Sequence, residues 1–282
     1  MTVGALLFAQ NNAATDYIKL AVFAARRVKE YLEIPVSLIT DSPAWLLDNY
    51  PDHPFDQILI INSTPFIQQK KFYDGSLSSR VSDWKNQSRS SVYELTPYDT
   101  TLVLDSDYVI NSSILSNAFN NDYDFQIYQN SFDLALDRDF SDFKRINQYS
   151  IPFYWATVFV FRKNTTTQAF FDLIGHIKEN WIYFKTLYNI NSHVFRNDFA
   201  FSMAIHIMNG KSSGNFAKEL PGKMVYALDT DLLVSTDGNK MKFLVEKKDC
   251  VGEYTLVKTT GLDVHVMNKF SLSRYIDGGS GV

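Results

Sequence analysis

The chain cannot form an internal disulfide, because its 282 residues include one cysteine, Cys250. That usage fits a reducing compartment. Long apolar runs are missing too: no stretch approaches the roughly 20 apolar residues that a bilayer-spanning helix needs. The opening MTVGALLFAQ has no positively charged flank and only a short apolar run, so it does not read as a secretion signal. These absences lead us to expect a cytoplasmic protein. Positive charge is not in excess either. Lys and Arg number 27 against 31 Asp and Glu, a formal net charge of -4. A surface devoted as a whole to nucleic acid or anionic membrane is therefore disfavoured, although a local patch is not.

What the chain does have is apolar mass. Hydrophobic residues make up 45% and aromatics 15%, enough for a sizeable core in one large domain or two small ones. The first half alternates. VGALLF (3–8), PVSLITD (35–41), DQILIIN (56–62) and TLVLD (101–105) read as strands. Between the first two, residues 15–32 carry Ile18, Val22, Ala25, Val28 and Leu32 at helical spacing, with Thr15 as the expected N-cap. This order predicts an α/β fold with a mainly parallel central sheet flanked by helices. The second half is less regular. Strands are expected at 124–129 and 154–162, helices over 166–187 and 197–208, and short strands from about 221 onward. We expect a core over 1–220 and a small β-rich extension over 221–282.

Charge is distributed unevenly. Residues 68–91 hold Lys70, Lys71, Arg80, Lys85 and Arg89 against Asp74 and Asp83, whereas 121–142 hold six aspartates against Arg138. If 82–94 is a helix, Lys85 and Arg89 share a face. Directly after the basic segment comes TLVLDSDYVI, an apolar strand that ends in two carboxylates, Asp105 and Asp107. In parallel α/β sheets ligands bind outside the carboxyl ends of the strands. Two hard oxygen donors there suit a divalent cation that also faces phosphate. A plain turn pair is the simplest alternative. A calcium loop is excluded, because the required Gly and Glu positions are Ile110 and Ser116. DSDYV also matches the nucleophile motif of haloacid-dehalogenase-type phosphatases, but here three strands precede it.

Four features together resemble GT-A-fold glycosyltransferases, nearest the family 8 group of glycogenin-like and galactosyltransferase-like enzymes. The first strand ends at Ala9-Gln10-Asn11-Asn12, and the second ends in Thr40-Asp41. WKNQSRSSVYELTPYDTTLVLDSDYVI has the family's order of basic segment, proline-containing approach and D-x-D strand. DVHVMNKFSL resembles the family's H-x-x-G-x-x-K element, with Asn268 at the glycine position and Lys269 earlier than usual. YWATVF replaces the family's F/Y-N-[AS]-G, and Asn197-Asp198 replaces Asp-Gln.

The resemblance implies a Rossmann-like GT-A core and a nucleoside diphosphate sugar donor, UDP-linked, with Mn²⁺ or Mg²⁺ held by Asp105, Asp107 and His265. It implies nucleotide and diphosphate contacts from Ala9, Gln10, Asn12, Asp41, Lys85, Arg89, Ser106 and Lys269. Asp198 is expected at the reacting sugar, with Asp133 a second candidate, and Trp155 or Tyr154 could stack on a sugar. Retaining transfer, which the resemblance implies, needs no protein base; inverting transfer would need one, and Asp198 could serve. The acceptor is open among a glycan, a lipid headgroup, a protein side chain and a modified nucleobase. A phosphatase using Asp105 and Asp107, and a catalytically silent GT-A-fold binding protein, are the competing readings.

Overall fold

The structure is a computed structural model that describes residues 1–62, 68–85, 87–138, 140, 143–147, 150–192 and 194–278; Asp139 and Asp142 of the acidic segment lie outside them. The first elements are β1 (Val3–Ala9), α1 (Tyr17–Leu32), β2 (Val36–Thr40), α2 (Pro43–Asn49), β3 (Gln57–Ile60), β4 (Gln68–Tyr73) and β5 (Ser79–Trp84). The middle of the chain forms α3 (Val92–Leu95), β6 (Thr100–Leu104), β7 (Tyr108–Val109), β8 (Phe125–Tyr128), β9 (Ser131–Asp133) and β10 (Trp155–Arg162). Then come α4 (Thr165–Glu179), α5 (Trp181–Leu187), α6 (Asn197–Met208) and β11 (Met224–Ala227). The last are β12 (Leu232–Asp237), β13 (Lys240–Glu246), β14 (Tyr254–Thr260), β15 (Val264–Val266) and α7 (Lys269–Gly278).

The central sheet runs β3-β2-β1-β6-β10-β8. Its first four strands are parallel, and β10 lies antiparallel to both β6 and β8. This is the expected α/β architecture. Strands β2, β6 and β8 are buried along their whole length, which is why they read as apolar runs without alternation. Helix α1 covers β1 and β2 on one side, while α4 and α6 pack together and α6 lies on β10. Buried Phe125, Phe159, Phe170, Phe171 and Phe201 fill this second layer.

Local chemistry sets the helix ends. Asp16, not Thr15, caps α1, its carboxylate accepting from the Lys19 amide at 3.0 Å. At the other end Glu33 takes a left-handed conformation and Pro35 follows. The expected helix over 166–187 is two helices. Asn180 separates them, its side-chain amide donating to the His176 carbonyl at 2.9 Å and competing with helix continuation. The condition for a shared face, a helix over 82–94, is largely unmet. β5 pairs with β4 as far as Trp84, a 3₁₀ turn covers Gln87–Ser91, and α3 stops before Pro97. Serine-rich sequence favours turns over helix interiors. Lys85 and Arg89 therefore do not share a helical face.

A second sheet, β7-β15-β11-β9, stands at the carboxyl end of the central one. A third, β12-β13-β14, and the β4–β5 hairpin complete the described strands. The central sheet tolerates little change where β1 meets Tyr98. A β-carbon on Gly4 would lie 2.4 Å from the Tyr98 ring, whose hydroxyl is fixed by Ser37 at 2.7 Å. Gly4→Ala should cost about 1–3 kcal/mol by overpacking. In urea titration the midpoint should fall with the slope unchanged.

Candidate active site and metal centre

Where β6 ends, the chain turns sharply. The Asp105 amide donates to the Thr157 carbonyl at 2.8 Å, and the Tyr108 amide donates back to the Asp105 carbonyl at 3.1 Å. The turn leads straight into β7, which pairs with β15 so that His265 stands opposite Tyr108. The Val266 amide donates to the Asp107 carbonyl at 2.9 Å and fixes that register. One two-residue ladder thus carries His265 across 158 positions of sequence to Asp107. Asp105, Asp107 and His265 each offer one ligand atom, all within 4.8 Å of one another. The three residues expected to hold a metal are brought together.

The electrostatics centre on Asp107, which is only 3% exposed. The Lys269 ammonium lies 2.6 Å from its carboxylate, and His265 Nε2 lies 3.4 Å away. Burial alone would raise the Asp107 pKa, but Lys269 and His265 outweigh it and hold the group far below the ordinary carboxylate range. Burial likewise opposes the Lys269 charge, and Asp107 more than restores it, so its pKa sits above the usual lysine value. Asn268, which stands at the family's glycine position, has a local task. Its side-chain oxygen accepts from the Ser271 amide at 2.9 Å, capping α7, while its amide donates to the Asp231 carbonyl at 2.8 Å. Lys269 is consequently the first residue of a well-capped helix aimed at the site.

Strand β10 supplies the opposite wall. Its pairing with β8 slips between Trp155 and Phe159, a bulge of the kind that re-aims backbone beside a site. The freed backbone is used throughout. The Arg89 guanidinium donates to the Ala156 carbonyl and pairs with Asp105, while the Ala156 amide donates to Asp198 at 3.0 Å. Asp198 lies in the first turn of α6, and its other oxygen takes Arg196 at 2.7 Å. Trp155 is 1% exposed and packs against Tyr226 and edge-on to His265, so it backs the imidazole.

Toward the ends of β1 and β2, Asp41 accepts from Gln10 at 3.2 Å and from Lys85 at 2.9 Å. Asn12 donates to the Asp83 carbonyl at 2.6 Å and folds back on the Ala14 and Thr15 amides. Ala9 is buried beneath this cluster, and Ser106 lines the cleft between the two acids. Tyr17, Lys70, Phe72, Trp84, Arg196 and Asp229 also line the cleft, and sequence reasoning did not single them out as site residues. Their common signal is weak: Tyr17 opens α1, Lys70, Phe72 and Trp84 lie on the β4–β5 hairpin, and Arg196 and Asp229 lie in loops. The cleft is small, about 180 Å³, because charged side chains crowd into it.

Asp133 is placed elsewhere. Its carboxylate is held by Arg138 at 2.6 Å, and Arg138 also grips Asp231 at 2.8 Å. Asp231 in turn accepts from the Leu228 and Glu246 amides. This buried triad clamps the second sheet to the third and does not line the cleft.

Two carboxylates and an imidazole make a donor set that fits a divalent cation, and His265 Nδ1 has no hydrogen-bond partner among the described residues. No protein-family model matches the chain, and no curated protein matches it. Among solved structures its fold is similar to that of a galactosyltransferase, LgtC, in complex with donor and acceptor sugar analogs. Identity there is 14% over 77% of this chain and 72% of that one, with a TM-score of 0.47. It is also similar to the glycosyltransferase GlyE of Streptococcus pneumoniae, at 13% identity and a TM-score of 0.43. That alignment covers 78% of this chain and spans 45% of GlyE, less than half its length. Both of these solved structures are of glycosyltransferases.

Arg138→Ala should lower stability by about 3–5 kcal/mol, since it strands two buried carboxylates. Denaturant unfolding of the variant measures the loss, and it should exceed that of any exposed Arg→Ala change.

Proposed function

We propose that this protein is a metal-dependent glycosyltransferase that uses a nucleoside diphosphate sugar, UDP-linked, as donor. The observation that carries the reading is the Asp105–Asp107–His265 cluster at the carboxyl end of β6, inside a cleft walled by Lys85, Arg89, Arg196 and Lys269. A divalent ion held by these three residues supplies a Lewis acid that neutralises charge on a departing diphosphate. The imidazole nitrogen favours Mn²⁺ over Mg²⁺.

The chain's own residues divide the remaining work. Gln10, Asp41 and Lys85 form a polar cluster at the ends of β1 and β2, where an α/β sheet binds nucleotide. Lys269 and Arg89 each pair with one of the proposed metal-binding carboxylates. Both cations also line the cleft, where they would hold phosphate oxygens of a bound diphosphate. Such preorganised charge acts on the oxocarbenium-like transition state of glycosyl transfer by stabilising its leaving group. Asp198, fixed by Arg196 and the Ala156 amide, faces the same cleft and is the carboxylate available to a donor sugar or acceptor hydroxyl. In this reading residues 1–220 form the nucleotide-sugar-binding core, and 221–282 form the extension that supplies His265 and Lys269. The acceptor is a hydroxyl-bearing molecule, a carbohydrate being the simplest choice. A phosphatase reading would make Asp105 the nucleophile, and that carboxylate is engaged by Arg89.

UDP together with Mn²⁺ should raise the melting temperature by several degrees, by mass action on the folded state. A panel of UDP-sugars with Mn²⁺ should yield free UDP, read by mass spectrometry. Asp107→Ala should abolish the stabilisation and reduce UDP release by a hundredfold or more. If no nucleoside diphosphate with Mn²⁺ stabilises the wild-type protein and no nucleotide sugar is consumed, the proposal fails.

A further inference from the structure

Four of the cleft's cations have a carboxylate partner: Lys85 with Asp41, Arg89 with Asp105, Arg196 with Asp198 and Lys269 with Asp107. Lys70 has none. Among the described residues no carboxylate comes within 4 Å of its ammonium, and no hydrogen bond reaches it. It lies over the Trp84 ring at 4.8 Å and the Phe72 ring at 5.6 Å, half-buried against an aromatic wall. Burial pushes the ammonium down to about 8, with repulsion from Lys269 and Arg196 adding to the effect and the more distant Asp229 and Asp107 carboxylates offsetting part of it. A half-buried charge with no directly paired carboxylate, beside two like charges, costs free energy in the unliganded protein.

The placement of Lys70 is built into the hairpin. β4 alternates, with Gln68 and Phe72 buried and Gln69 and Lys71 exposed, so Lys70 points inward with the first pair. The register with β5 sets Gln68 opposite Trp84, Lys70 opposite Ser82 and Phe72 opposite Arg80. Gln68 locks that register to the loop before α6, accepting from the Phe195 amide at 2.6 Å and donating to its carbonyl at 3.4 Å. A slip of one residue would send Lys71 inward and Lys70 to solvent. At the far end of the hairpin, Asp74 is held by Arg274 of α7 at 2.6 Å.

We infer that Lys70 is a binding residue for a phosphate group of the substrate, completing with Arg196 and Lys269 a three-cation receptor on the hairpin side of the cleft. A compact ammonium among cations that already have partners is matched by an added anion. The inference deepens the proposed function and rests on it for the identity of the substrate. Two sources share the chemistry: the diphosphate of the donor nucleotide, or a phosphate carried by the acceptor.

The experiment is calorimetric titration of the full chain with inorganic pyrophosphate and with UDP, in chelator and without divalent ions. Lys70→Met and Lys70→Gln should weaken pyrophosphate binding about tenfold or more, the loss of one charge-assisted contact, and Lys70→Arg should restore most of it. Both neutral variants should melt at or above the wild-type temperature, because they remove a repelled charge; a merely structural lysine would lower melting and leave affinity untouched. An equal loss for UDP assigns the anion to the donor diphosphate. A loss confined to pyrophosphate assigns it to a phosphate on the second substrate. Unchanged affinity of both neutral variants for both probes overturns the inference. Absence of turnover with every nucleotide sugar would sink the proposed function and leave the titration result standing.

Discussion

A carboxylate buried as deeply as Asp107 stays ionised only if cations surround it, and the rest of the cleft is arranged around that requirement. Lys269 and His265 meet it, and both come from the far end of the chain. Their arrival depends on the short β7–β15 pairing and on the cap that Asn268 places on α7. Without those two local devices Asp107 would be a stranded charge at the end of a hydrophobic strand. The same carboxylate is thus both a point of attachment for the C-terminal elements and the centre of the candidate metal site.

The pairing of acids with cations recurs around the cleft. Arg89 with Asp105, Lys85 with Asp41 and Arg196 with Asp198 repeat the arrangement of Lys269 with Asp107. Each pair is internally satisfied, yet each acid or base is also a chemically plausible ligand for a cation or a phosphate. A cleft of this type holds its charges in fixed positions, at a cost the surrounding fold supports. The bulge in β10 is the backbone counterpart. It aims one carbonyl at Arg89, one amide at Asp198 and another carbonyl at Asp105.

The strand–helix alternation was readable because buried parallel strands are continuous apolar runs and α1 has a clear period. The acid pair was readable because two carboxylates at the end of such a strand are conspicuous. Three things were not. The segment 82–94 looked helical, since charge spacing carries no information about a preceding β-hairpin that consumes its first residues. Asp133 looked available, since sequence does not reveal that Arg138 and Asp231 enclose it. Lys70 stood only as one of five basic residues in the segment 68–91. Only the hairpin register separates it from Lys71 next door, and register is a tertiary property.

The ladder that joins Tyr108 to His265 has a temporal meaning as well. During synthesis the central sheet can assemble once residues 155–162 have emerged, whereas the acids at its edge wait for residues 264–269. Contacts this distant in sequence close late, because loop entropy must be overcome first. A nascent or prematurely terminated chain would therefore hold a folded sheet with an unfinished, unbalanced acidic edge. The acidic cleft takes its observed form only when residues 264–269 dock against β7.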